Sequence, residues 1–142
     1  MERIVGLDNE YMTVACLPDL GVVHHTMHRF VVSSAFRAAL EIGLELLRTH
    51  QATKWLSDDR ANSALSKQDV TWLATDWEPR TIEAGWRYWA MVMPEAVFGK
   101  MIIQRRVAAA NAVGLNARTF EEPDAALAWL STLPGGTGFH RP

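Results

Sequence analysis

The stretch SSAFRAALEIGLELLRTHQATKWLS, Ser33 to Ser57, decides the fold, because it changes period twice within 25 residues. Phe36, Leu40, Gly43, Leu44 and Leu47 recur at helical spacing on one face, with Arg37, Glu41, Glu45 and Arg48 on the other. Ser33 or Ser34 is placed to cap that helix. The run TKWLS behind it is short, rich in strand formers and enclosed between helical patterns, as expected of a strand reached by a helical crossover.

Working outward, residues 3–31 read as an antiparallel meander: IVGL, YMTVACL and LGVVHHTMHRFV, separated by the turn signals DNE and PD. After TKWLS, Ser66-Lys67-Gln68-Asp69 resembles a capping box, followed by the apolar stripe Val70, Leu73, Ala74 and Trp77. Pro79 predicts that this helix ends at Glu78, and a short helical turn then runs from Pro79 to Gly85. WRYWAMVM (86–93) reads as a strand with Trp86 and Trp89 on opposite faces; a helix over 97–113, the strand LNARTF and a helix from Pro123 to Leu133 complete the chain. The order β-β-β-α-β-α-β-α-β-α predicts an α/β fold: a mixed sheet, antiparallel at its start and parallel afterwards, with about four helices. One domain over residues 1–133 is expected, and residues 134–142, PGGTGFHRP, are expected to form a flexible tail.

Composition excludes several classes of function. The 142 residues are 49% hydrophobic and 21% charged, with net charge -2 and pI near 6.2, so the chain lacks the basic footprint of a nucleic-acid binder. No apolar run approaches the roughly 20 residues that span a bilayer, and MERIVGLDNEY has acids where a signal peptide needs an apolar segment; a cytoplasmic location is the expectation. Cys16, alone in its chain, reads as a small buried hydrophobe.

Certain segments resemble the bacterial STAS-like or SpoIIAA-like proteins over about residues 20–132. The landmarks are W-L-x-D-x-R at Trp55 to Arg60, W-x-P-x-x-x-x-A-G at Trp77 to Gly85, and V-x-P-E at Val92 to Glu95. The resemblance implies a mixed sheet packed by helices and used for protein–protein contact, regulation or binding of small apolar ligands. Relatives of this fold carry a regulatory serine after a strand; the comparable neighbourhood here holds Ser57, Ser63 and Ser66, with Asp58 and Asp59 where that switch would begin.

Asp58, Asp59 and Arg60 lie just past the carboxyl end of a predicted strand, where ligand crevices of open α/β sheets form, and Glu95 and Lys100 follow the next strand. Two readings stand for the cluster. Either one Asp caps the following turn while the other pairs with Arg60, or the group binds a ligand; acid–base catalysis by the two carboxylates would need their environments to split their pKa values. His24, His25 and His28 read as half-exposed strand histidines, since His25 faces away from the other two and no metal site closes. Trp72 falls off the apolar stripe of its helix, and two readings stand for it: it packs in the core as most of the six tryptophans are expected to, or it lines a groove or meets a partner chain. No phosphate-binding or nucleophile motif is present, no cofactor is implied, and no residue is nominated as catalytic. The functional expectation is a non-enzymatic interaction module, homodimeric and engaging a protein partner. The alternative is a binder of a small molecule or lipid, with its pocket between sheet and helices and Asp58, Arg60 and Glu95 at the mouth.

Overall fold

A computed structural model describes residues 2–29, 33–61, 65–94 and 97–136, with the side chains of 97–99 left aside. Six strands form one sheet in sequence order: β1 (Ile4–Asp8), β2 (Met12–Leu17), β3 (Val22–Met27), β4 (Lys54–Asp58), β5 (Tyr88–Val92) and β6 (Asn116–Phe120). The pairs β1–β2 and β2–β3 are antiparallel, and β3–β4, β4–β5 and β5–β6 are parallel. The helices are α1 (Ser33–Thr49), α2 (Lys67–Trp72), α3 (Glu78–Glu83), α4 (Val97–Ala112) and α5 (Pro123–Ser131). This is the mixed α/β architecture that the change of period at Ser33 predicts.

Because the strands keep sequence order, crossovers of one hand place their helices on one face. That face buries Met12, Val14, Cys16, Val23 and Met27 of the meander together with Trp55, Trp89 and Met91, beneath Phe36, Leu40, Leu44 and Leu47 of α1 and Ile103 and Ala110 of α4. The opposite face is a smaller core in which Ala126 and Leu130 of α5 cover Val22, Leu56, Ala90 and Val92. Burial on both faces explains why β4 reads as a continuous run rather than an alternation.

Four local expectations are corrected. Ser33 is the first residue of α1 and its hydroxyl donates to Asp69 Oδ2, so it ties α1 to α2 rather than capping. The chain does not break at Pro79: a π-helical stretch, Leu73–Trp77, joins α2 to α3, closed by the Glu78 N–H donating to the Leu73 carbonyl. Proline lacks an N–H and its ring crowds the preceding turn, and the wider π turn takes up that misfit. Asp69, not Val70, shares the buried line with Leu73 and Trp77: its N–H bonds the N-cap Ser66, and its carboxylate accepts from Ser33 and, at 3.0 Å, from Arg37 Nε. Finally, β5 begins at Tyr88, so Trp86 precedes it and packs on the same side as Trp89, with ring centroids 5.3 Å apart.

Of the segment expected to form a flexible tail, only residues 134–136 are described. Residues 134–136 run back to the β2–β3 turn, where Gly136 lies backbone to backbone against Leu20 and Gly21. Residues 137–142 lie outside the described residues, as do Ser63 and Glu95.

Candidate functional site

The site is built at the exit of β4. Alternation along the strand sends Lys54, Leu56 and Asp58 toward α5 and Trp55 and Ser57 toward the α1 face. The chain then turns, and Asp59 returns to the α1 face. Two carboxylates adjacent in sequence thus serve opposite sides of the sheet.

Asp58, 5% exposed, holds Arg60 in a two-pronged pair, Nε to Oδ1 and Nη2 to Oδ2, both at 3.0 Å. Arg60 also comes within 3.8 Å of Glu122 at the start of α5, and its own side chain remains 44% exposed. A guanidinium fork on a buried carboxylate fixes the direction in which the chain leaves the strand.

Asp59 meets His25 instead. His25 stands opposite Ser57 in the β3–β4 register and is 5% exposed, not half-exposed as expected. The Trp55 indole N–H donates to His25 Nδ1 at 2.9 Å, which leaves that nitrogen unprotonated. The ring proton therefore sits on Nε2 and is donated to Asp59 Oδ1 at 2.7 Å. Ser57 Oγ accepts the Trp89 indole N–H at 2.9 Å. With both imidazole nitrogens occupied, His25 has none left to activate the neighbouring serine.

Around this network four indoles meet edge to face: Trp55 and Trp77 at 4.9 Å, Trp77 and Trp86 at 5.5 Å, and Trp86 and Trp89 at 5.3 Å between centroids. Each N–H has an acceptor, since Trp77 donates to the Leu40 carbonyl and Trp86 to that of Tyr88. Arg106 of α4 lies over Trp89 at 4.9 Å and pairs with Glu78 of α3. The enclosed space left among His25, Ser57, Asp59 and these rings is about 20 Å³. That admits a single water and nothing larger.

The remaining candidates fall in two other places. Arg60 and Lys100 line an open groove of about 510 Å³ at the carboxyl ends of β5 and β6, shared with Gln104, Thr119, Glu121 and Glu122. Trp72 lies on α2, edge-on to Phe36 with centroids 6.4 Å apart and beneath the Arg37 guanidinium at 5.1 Å. It borders a surface groove of about 470 Å³ with Lys67, Gln68, Thr71 and Thr75. The cluster drawn from sequence is therefore three separate features: a clamp, a strand-end groove and an aromatic on a helix.

Sequence reasoning missed the His25–Trp55–Asp59 network. The signal that would have found it is the register: once VVHHT is paired with KWLSD, His25 falls beside Ser57 and diagonal to Trp55. Among the described residues, no three His, Cys, Asp or Glu side chains gather as a metal site, and no helix is long and apolar enough to cross a membrane. Burial pushes the Cys16 thiol up to about 11, with Glu2 adding to the shift, so it stays protonated and unreactive.

No family model, curated protein or solved structure matches the chain.

Proposed function

We propose that the protein is a cytoplasmic, non-enzymatic interaction module of the STAS-like type, which docks a partner protein on the face of α2 around Trp72. The observation that carries this reading is Trp72 itself: an indole only partly covered, stacked by Arg37, at the rim of a surface groove of about 470 Å³. Tryptophan and arginine are the side chains that dominate binding energy at protein interfaces, because they bury large area with a polar handle. The polar groups that catalysis would need are spent elsewhere: Asp58 on Arg60, Asp59 on His25, and both His25 nitrogens within the core.

The test is a quantitative pull-down from cells of the source organism with the full chain and with Trp72→Ala. The reading expects a protein recovered by the parent and lost with the variant. Equal recovery by both, or none by either, overturns it.

A second reading has its own support in the groove beside Arg60 and Lys100. It lies beyond the carboxyl ends of the parallel strands, where open α/β sheets bind small ligands, and its volume is that of a ligand site. Native mass spectrometry of gently purified protein, followed by thermal shift of the parent and of Lys100→Ala across anionic metabolites, decides it. A clean apo mass with no shift for any compound removes this reading.

A further inference from the structure

The sheet has two edges, and they are finished differently. At the β6 edge the side-chain amide of Asn111 occupies the outward backbone of Ala117, accepting its N–H at 2.8 Å and donating to its carbonyl at 3.2 Å. At the β1 edge, among the described residues, no side chain bonds the strand's outer backbone. An edge left in that condition is a template for another strand.

The residues of β1 say which strand fits. Its pairing with β2 runs Ile4 to Cys16, Val5 to Ala15, Leu7 to Val14 and Asp8 to Thr13, with a bulge at Gly6. In a regular strand Arg3 and Asp8 would face opposite sides, as would Ile4 and Leu7. The bulge shifts the alternation by one. Ile4 and Leu7 now both pack on the α1 face. Arg3 and Asp8 share the other face, where Arg3 adds to the field on His24 and Asp8 Oδ1 accepts from Thr13. Among the described residues neither Arg3 nor Asp8 makes an ion pair within the chain.

We propose that β1 pairs antiparallel with β1 of a second copy about a two-fold axis, in the register that sets Ile4 opposite Leu7 and Arg3 opposite Asp8 of that copy. The two-fold repeats each contact once, so two charge pairs flank an apolar centre. Val5 stands opposite a glycine, which has no side chain to misplace across the bulge.

The helices agree with this arrangement. Gly6 lets α1 close onto β1: a Cβ there would lie 2.9 Å from both Ile42 Cγ2 and Leu46 Cδ1. Those two side chains line a shallow groove of about 300 Å³ on the flank of α1. In a continuous sheet the two β2 strands lie three strand spacings apart, roughly 14 Å. Helices seated over them leave a gap a few ångströms wider than the 8–10 Å of packed helices, which Ile42 and Leu46 of the two copies fill.

The inference rests on the reading of the chain as an interaction module, but uses a surface other than that of Trp72. Sedimentation velocity on the full chain is the test, with Arg3→Asp, Asp8→Arg, the double exchange and Trp72→Ala. The parent and Trp72→Ala should sediment at twice 15.9 kDa. Each single charge reversal should weaken dimerisation by roughly tenfold or more, and the double exchange should restore it. A parent that is monomeric throughout, single variants that dimerise as the parent does, or a double exchange that fails to restore the dimer overturns the proposal. Arg3 and Asp8 are exposed, and thermal melts of the variants confirm that loss of the dimer is not loss of the fold. Loss of the dimer in Trp72→Ala alone points to the α2 surface instead.

Discussion

At the scale of single residues, Asp58 and Asp59 show how neighbours in sequence acquire different energetics. Asp59→Ala leaves the His25 Nε2–H buried without an acceptor, and an orphaned donor of this kind costs about 1–3 kcal/mol. Asp58→Ala removes one partner of an arginine that is already 44% exposed, lies within 3.8 Å of Glu122 and can turn to water, so it should cost under about 1 kcal/mol. Urea denaturation of the two variants checks the order, and equal losses would contradict the division of roles. His24 carries a second prediction. Burial lowers its pKa from 6.5 to about 4, with the adjacent His25 and Arg3 adding to the effect and Asp58 opposing it. The unfolded chain takes up this proton below pH 6.5 whereas the folded chain resists until about 4. Stability should therefore fall as pH drops through that window, by at most about 3 kcal/mol and less for a ring that keeps some solvent contact. Thermal melts at pH 7 and pH 4.5 should differ by less in His24→Gln than in the parent.

At the scale of elements, α1 and β4 are locked by one contact that a helix propensity scale reads with the wrong sign. Gly43 sits in the middle of α1, where alanine would ordinarily favour the helix by about 0.5–1 kcal/mol. A Cβ there would lie 2.3 Å from Trp55 Cη2, deep in the core. Overpacking of that severity costs about 1–3 kcal/mol, so Gly43→Ala should destabilise the protein on balance, with a lower urea midpoint at unchanged slope. A rise in stability would show that Trp55 can move. The same elements show what sequence can disclose. The helical period of Phe36, Leu40, Leu44 and Leu47 and the short run KWLS are local signals, so α1 and β4 were legible within a residue or two. The π turn before Pro79 was not, because it depends on how a following segment absorbs a missing N–H. Trp86 and Trp89 were misassigned for a related reason: period two applies only within a strand, and Trp86 stands outside it. The candidate site was legible only as a list of residues. Its partition into a clamp, a groove and an aromatic is set by the register of β3 on β4, which no local pattern encodes.

At the scale of the whole molecule, the two layers are unequal: among the described residues, five helical pieces share the broad core on one face, while α5 is the one helix over the other. What fastens that lone helix at its far end is Lys54, 1% exposed, whose Nζ donates to the Leu133 carbonyl at 2.8 Å just past the last turn of α5. A cation suits the negative end of a helix, yet no carboxylate pairs with Lys54 among the described residues, and burial lowers its pKa from 10.5. The consequence for stability has a definite sign. Below 10.5 the unfolded chain holds the lysine proton more tightly than the folded chain does, so folding is opposed while the group is charged, and stability rises with pH as the folded-state amine deprotonates. Lys54→Met keeps the length of the stem and removes both the charge and the hydrogen bond. Because a buried charge contributes little net stability and the bond to Leu133 about 1 kcal/mol, the variant should lie within about 1 kcal/mol of the parent at pH 7. Its chemical denaturation should also lose the rise in stability expected of the parent as pH climbs toward 10.5. If instead the variant falls far below the parent at pH 7 with the same alkaline slope, Lys54 holds α5 by its bond rather than straining the core by its charge.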